Sequence, residues 1–331
     1  MTPVERFQLA MAAEAKLSSW SAGAQMLALV DALREKGWLR FLREPRSFDA
    51  LASFSDLPVA RVRDVVDVLA AHGVSEVSET VQLTAEFREF SSDDAFIGLD
   101  DAVDNALVLL RAVPQIDAPL TEPDALAIAR AAGGRAGEIG ATVYGLLLAQ
   151  LDEIPAAISR GRWLDVGCGV AGATLSLASS HPEMRATAIE LLPAVAKEAQ
   201  RRAEELGVAD RVDIRCQDAR EFTERDAFAG AFWAQPFFPQ DSRPGTLAMI
   251  LGALEPGGEL FMQEMEAAPE GDGLGAYLLR RLVYQGWGVP FGRPAEDLVG
   301  EAVTVGFELV RIASTDFGRC AVVRKPRETC S

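Results

Sequence analysis

Three acidic residues and three glycines carry the clearest chemistry in this chain. Asp165, Gly167, Gly169 and Gly172 lie in WLDVGCGVAGAT (Trp163 to Thr174), where an apolar stretch runs through a glycine loop into small residues that open a helix. The G-x-G-x-x-G spacing lets a tight turn follow a strand, lets backbone approach a ligand, and lets helix pack closely on sheet. Glu190 closes RATAIE, and a carboxylate there can accept two hydrogen bonds from ribose hydroxyls. Gln217, Asp218 and Ala219 follow a third apolar run, and WAQPFFP (Trp233 to Pro239) ends a fourth.

Two cofactor classes share the glycine loop and the ribose acid. A nicotinamide dinucleotide brings a pyrophosphate, which acidic residues beside the loop repel. S-adenosylmethionine brings an ammonium and a sulfonium instead, which Asp165 attracts. Asp218 suits the adenine amino group, which only donates. The acidic decoration therefore favours S-adenosylmethionine, with an NAD(P)-dependent oxidoreductase as the alternative.

To gather these residues the chain needs a strand ending at each of them. From Arg162 onward, 163–166, 185–189, 212–216, 229–234, 258–264, 308–313 and 319–324 read as strands. Between them 171–180, 193–206, 243–254, 274–285 and 295–305 read as helices. Alternating strands and helices imply a mostly parallel sheet covered on both faces, with ligand beyond the carboxyl ends of the strands.

In this order the motifs resemble those of class I S-adenosylmethionine-dependent methyltransferases, over most of residues 160–325. DVGCGVAG matches that family's glycine motif, Glu190 its ribose-binding acid, and QDA (Gln217 to Ala219) its adenine-contact motif. LEPGGEL (Leu254 to Leu260) matches the turn into the fifth strand, and GFELVRI looks like the sixth. The resemblance implies an α/β fold with a Rossmann-like, seven-stranded, mostly parallel sheet whose last strand is reversed. It also implies methyl transfer with release of S-adenosylhomocysteine. The cofactor contacts it implies are Asp165, Gly167, Cys168, Gly169, Gly172, Glu190, Leu191, Gln217, Asp218, Ala219 and Ala234.

Ahead of this domain, residues 4–20 read as a helix ending at Trp20 in a Ser-rich break, with Ser21 capping a second helix at 22–36. Helices near 48–53 and at 59–71 precede a hairpin over 74–83. Helices followed by a two-stranded ribbon resemble a winged helix-turn-helix, but Arg61 and Arg63 on the would-be recognition helix stand against Asp64 and Asp67. A winged helix in front of such a domain resembles the small-molecule O-methyltransferases of plants and bacterial antibiotic pathways. In those enzymes the module dimerises and closes the acceptor pocket. The expected organisation is a winged-helix-like dimerisation and pocket-capping domain at 1–90, an acidic helical linker covering the cleft at 91–159, and the cofactor-binding domain at 160–331. A homodimer through the N-terminal domain follows. A winged-helix regulator that senses a ligand is the third reading.

Those O-methyltransferases carry a His base shortly after the fourth strand, where this chain has Ala234-Gln235-Pro236-Phe237-Phe238-Pro239. Gln-Pro-Phe-Phe is distantly like the Asp/Asn-Pro-Pro-Tyr/Phe loop of amino methyltransferases; otherwise Phe237 and Phe238 line an apolar pocket. Glu264 and Glu266 are candidate general bases or amine partners, or else a solvated strand end. Helical spacing brings Tyr277, Arg280, Arg281 and Tyr284 together, with Trp287 following, and an arginine there can hold an acceptor carboxylate. The catalytic candidates are Gln235, Glu264, Glu266 and Tyr284. The substrate candidates are Tyr144, Trp233, Phe237, Phe238, Tyr277, Arg281 and Trp287. Without the His, the expected acceptor is already a nucleophile, such as a carboxylate, a neutral amine or an enolisable carbon. It belongs to a small molecule or a peptide in natural-product tailoring.

Composition narrows the partners. The net charge is −17, and 91–159 holds 3 basic residues against 11 acidic ones, so no basic surface for nucleic acid is expected. No apolar run approaches the roughly 20 residues that span a bilayer. Glu5 and Arg6 interrupt what would be the apolar core of a signal peptide, so a cytoplasmic protein is expected. Cys168, Cys216, Cys320 and Cys330 are too scattered for a disulfide framework, and with only His72 and His181 no metal site is expected.

Overall fold

A computed structural model describes residues 1–115, 119–265 and 267–327. They form two compact units, Met1–Val103 and Asp104–Ser331.

In the first unit, Pro3 and a Thr2–Glu5 capping box start α1 (Pro3–Glu35). The break expected near Trp20 does not occur. The Ser18 hydroxyl donates to Glu14 at 2.9 Å and Ser21 accepts from Gln25 at 3.0 Å. Both serines thus find partners one turn away, and neither caps a new helix. Next come α2 (Trp38–Phe41), α3 (Phe48–Ser55), α4 (Val59–Ala71), the antiparallel hairpin of β1 (Ser75–Val77) and β2 (Val81–Leu83), and the short α5 (Ala85–Phe90). Val62, Val66 and Leu69 of α4 recur at helical spacing and are fully buried with Leu42, Leu51, Val81 and Leu83. Along α1, by contrast, Val4, Phe7, Leu17 and Trp20 stand in solvent, Trp20 at 70% exposure.

The division between the units falls inside α6 (Leu99–Ala112). The helices α7 (Glu122–Gly133), α8 (Glu138–Leu148) and α9 (Glu153–Arg160) belong to the second unit. α8 stops at Leu148, and α9 starts afresh with Pro155 in its first turn, where the missing N–H has no partner to lose.

The sheet that follows comprises β3 (Trp163–Val166), β4 (Ala186–Glu190), β5 (Val212–Cys216), β6 (Phe228–Trp233), β7 (Leu254–Gln263), β8 (Glu308–Thr315) and β9 (Gly318–Arg324). Between strands run α10 (Gly172–Ser180), α11 (Pro193–Glu205), α12 (Arg243–Ala253), α13 (Leu274–Gly286) and α14 (Ala295–Val305). The strand order is β5-β4-β3-β6-β7-β9-β8, with β9 antiparallel to both neighbours and the rest parallel. From β3 the chain winds first to β4 and β5 and then back to β6, making the β3/β6 boundary the switch point of the sheet.

Alternation along the strands divides the core. Trp163, Ala186, Ala188, Val212 and Phe261 pack with α8 to α11, while Leu164, Val166, Ala231, Trp233 and Leu260 pack with α12 and α14. No described helix is long and apolar enough to cross a membrane.

Candidate active site

The chemical residues converge at the carboxyl ends of β3, β4, β5 and β6. In the loop after β3, Gly167 (φ +73°) and Gly169 (φ +57°) take left-handed conformations, and so does Ala171 (φ +58°), at a cost of roughly 1–2 kcal/mol for an L-residue. Two glycines are also demanded by what lies against them. A Cβ on Gly167 would meet the Phe238 ring at 2.6 Å, and one on Gly172 would meet the Gly133 carbonyl oxygen at 1.8 Å.

Asp165 ends β3 at 3% exposure. Its Oδ2 accepts from the Thr174 hydroxyl at 2.6 Å, whereas Oδ1 is buried with no hydrogen-bond partner among the described residues. Burial pushes its pKa up to about 6, opposed by the Thr174 hydrogen bond and aided by the charge of Glu190. The Tyr144 phenol on α8 is raised to about 12, by burial first and then by the Asp165 charge, so it stands on the cofactor side of the site. Burial likewise lifts the Cys168 thiol well above its ordinary range, helped by Asp165 and Glu190.

Glu190 closes β4 with both oxygens oriented by backbone. Oε2 accepts from the Gly169 amide and Oε1 from the Leu192 amide, each at 3.0 Å. Burial raises its pKa while these amides hold it down. Each oxygen keeps a further lone pair for a ligand hydroxyl. Leu191 is 59% exposed beside it. The Gln217 amide donates to the Glu190 carbonyl at 3.0 Å, joining the β5 loop to this edge.

The Asp218 carboxylate caps the short turn Ala219–Glu221 and pairs with Arg220, Nη2 to Oδ2 at 2.6 Å. The Arg220 hydrogen bond holds its pKa below the usual range. Any adenine amino group it accepts from would therefore share the carboxylate with Arg220.

On the β6 side, Gln235 is 1% exposed and stands in the turn after Ala234. Its amide donates to the Gln263 carbonyl at 3.2 Å, and its own carbonyl accepts from Arg243 Nη1 at 2.8 Å. Arg243, equally buried, also donates through Nε and Nη2 to Glu301 at 2.9 and 2.7 Å and lies 4.7 Å from the Trp233 ring centroid. Burial pulls its pKa down against the pull of Glu301. No motif marks Arg243 in the sequence, because its partners lie 8 and 58 residues away. Trp233 is wholly enclosed, with Phe238 edge-on at 5.3 Å, so it supports the loop from below and presents no face to an acceptor.

Phe237 is 38% exposed and 5.9 Å from Tyr284, which packs on Trp287 at 5.3 Å and Phe291 at 5.2 Å; Tyr277 reaches Phe291 at 5.2 Å. Phe291, not singled out from sequence, joins the two tyrosines. Burial raises the Tyr284 pKa, partly countered by Arg280. Arg281 is exposed on α13, not drawn into this cluster. Glu264 accepts from the Ala295 amide at 3.1 Å and lies 3.3 Å from Arg319 Nη1, so it caps the start of α14. Glu266 lies outside the described residues.

Residues 164–258 match the family described as Methyltransferase domain. No curated protein matches the chain. Among solved structures, mitomycin 7-O-methyltransferase MmcR is similar at 19% identity and TM-score 0.69, over 96% of this chain and 99% of that one. An O-methyltransferase, described as putative, from Nostoc punctiforme PCC 73102 is similar at 16% identity and TM-score 0.73, over 94% and 98%. Human N-acetylserotonin methyltransferase, in complex with SAM, is similar at 14% identity and TM-score 0.67, over 95% and 98%. At these identities the likeness is one of fold.

Proposed function

We propose that this chain, a class I methyltransferase by its fold and by the methyltransferase domain at residues 164–258, moves a methyl group from S-adenosylmethionine to a small acceptor molecule. The observation that carries the reading is the buried Oδ1 of Asp165 beside the glycine loop, without a hydrogen-bond partner among the described residues. A lone-pair site there suits a cationic donor such as the methionine ammonium and would repel a pyrophosphate. Glu190, oriented by the Gly169 and Leu192 amides, is the residue to hold ribose hydroxyls. When bound, S-adenosylmethionine supplies a methyl group already activated by its sulfonium. What the chain contributes is position and exclusion of water: Phe237, Tyr277, Tyr284, Trp287 and Phe291 form an aromatic wall beyond β6, suited to a planar apolar acceptor.

Proton chemistry favours an acceptor that arrives as a nucleophile. Gln235 does not titrate, Tyr284 is held protonated, and Glu264 is occupied as a helix cap beside Arg319. A carboxylate, a neutral amine or an already ionised hydroxyl meets that requirement. The MmcR neighbour, a mitomycin 7-O-methyltransferase, supports tailoring of a small natural product as the setting. The exposed apolar residues of α1 support a homodimer through the N-terminal unit, and the free thiols Cys168, Cys216 and Cys320 suit a reducing compartment such as the cytoplasm.

Isothermal titration with S-adenosylmethionine tests the reading. Glu190→Ala is expected to weaken binding about 10–100-fold through loss of charge-assisted hydrogen bonds. Binding of a nicotinamide dinucleotide with no heat from S-adenosylmethionine would refute it.

A further inference from the structure

The glycine loop is covered by a second glycine cluster that precedes it in sequence. Gly133 and Gly134 end α7, and their carbonyl oxygens lie so close to Gly172 that a Cβ there would meet them at 1.8 and 2.8 Å. A Cβ on Gly133 would in turn meet Val170 at 2.8 Å, and one on Gly169 would reach the Ala129 methyl at 3.8 Å. Thus α7 and its Gly133–Gly134 end stand directly over the backbone that runs from Gly169, which orients Glu190, to the first residue of α10.

Nothing apolar anchors this strap strongly: within α7 only Ala125 and Ile128 are buried. It is clipped instead to α11 at both ends. At its start, the Glu122 carboxylate accepts from the Ala194 amide in the first turn of α11 at 2.9 Å. At its end, Arg202 Nη1 donates to the Gly134 carbonyl at 2.8 Å. Arg202 is held for that contact by Glu198, whose Oε1 accepts from Arg202 Nε at 3.0 Å. Glu198 also takes a two-pronged contact from Arg201 at 2.9 Å through each nitrogen and lies 3.5 Å from Arg130 on α7 itself. Its side chain is 8% exposed, and one carboxylate thereby joins three guanidinium groups from two helices.

We propose that Glu198 is a positioning residue for the cofactor: through Arg202 and Arg130 it latches the Gly133–Gly134 strap over the glycine loop, and the latch governs how fast the cofactor leaves. The inference rests on the reading of that loop as an S-adenosylmethionine cradle. Supporting it, the Glu198 carboxyl, though burial lifts it, is held down at about 2 by Arg201, Arg202 and Arg130, so the latch stays ionised at all ordinary pH. A strap held mainly by ionic contacts and a glycine crossing can open at the cost of exposing little more than Ala125 and Ile128.

Two measurements on the full chain decide it. Stopped-flow displacement of S-adenosylhomocysteine should be about ten-fold faster or more in Glu198→Gln, and hydrogen exchange should rise over 122–140 while the sheet stays protected. Arg202→Met, which removes the Gly134 contact and leaves Arg201 and Arg130 on Glu198, should give the same pattern more weakly and serves if Glu198→Gln does not fold. A lower Tm with an unchanged dissociation rate would mean a structural role only and would overturn the proposal, as would unchanged exchange over 122–140. If the wild-type chain bound no S-adenosylhomocysteine, the cofactor reading would fall, and the exchange experiment would still decide whether the latch exists.

Discussion

Asp165→Asn should stabilise the unliganded protein and weaken its cofactor binding, and the opposite signs follow from one carboxylate. Burial carries its pKa from 3.8 to about 6, which at about 1.4 kcal/mol per pH unit amounts to about 3 kcal/mol. Because the folded value lies above the unfolded one, the stabilising contribution is fully present below the unfolded pKa and is lost as pH rises through about 6. At neutral pH the fold therefore holds a desolvated charge with one oxygen unmatched. The isosteric amide removes the charge and can keep the Thr174 hydroxyl on its oxygen. Its NH2 then takes the unmatched place at about 1–3 kcal/mol, leaving a net gain of about 0–2 kcal/mol. In calorimetry the variant's Tm should rise by up to about 6 °C at neutral pH, with the gain vanishing toward the unfolded pKa. In titration with S-adenosylmethionine, losing a hydrogen bond between charged groups should weaken binding by about 10–100-fold. Wild-type affinity should also fall as pH drops below about 6, and the variant should lack that limb, keeping only the dependence that Glu190 imposes at lower pH. A variant that melts lower at neutral pH, or that binds with wild-type affinity and the same pH profile, would refute the assignment of Asp165 as the cation's partner.

Three further outcomes follow from the geometry. Gly172→Ala forces a methyl into the Gly133 carbonyl, so urea titration should show a loss of about 3 kcal/mol or more, and cofactor binding should disappear; a variant of normal stability and affinity would mean the strap does not sit there in solution. Glu264→Gln should lower Tm by about 2–4 °C through the weakened α14 cap without changing S-adenosylmethionine affinity, whereas an unchanged Tm would free Glu264 for another role. If the proposed homodimer forms through α1, deleting residues 1–20, which removes Val4, Phe7, Leu17 and Trp20, should leave a monomer in light scattering. A full-length chain that is already monomeric would contradict the dimer.

What could be read in the sequence is what local geometry carries. The strands at 163–166 and 212–216 coincide with expectation because each ends at a motif whose turn chemistry lies within a few residues. The α1 break was misread because Ser18 and Ser21 have partners at i−4 and i+4, and cap composition alone does not register such pairs. The Asp218 pairing is within reach of sequence, since Arg220 stands two residues away. Contacts over long separations left no local trace. Arg243 meets Glu301 across 58 residues, Arg202 meets Gly134 across 68, and Phe291 joins a cluster whose other members come from α13 and the β6 loop.

These long-range contacts also separate the two halves of the site by charge. On the cofactor side the fold brings Glu190 close enough that its charge burdens Asp165, and among the described residues it leaves one Asp165 oxygen without a donor, an arrangement that costs stability until a cation arrives. On the acceptor side Arg243 is paired with Glu301 and Glu264 with Arg319, and the surface that faces them is largely aromatic rings and one buried amide. A site built this way spends its electrostatics on holding the donor. Rate enhancement on the acceptor side must then come from alignment and dryness, so the pH dependence of turnover should follow the acceptor's own ionisation above the Asp165 limit near 6. Turnover profiles for two acceptors of different pKa would settle this, since a shared alkaline limb would point to a protein base instead.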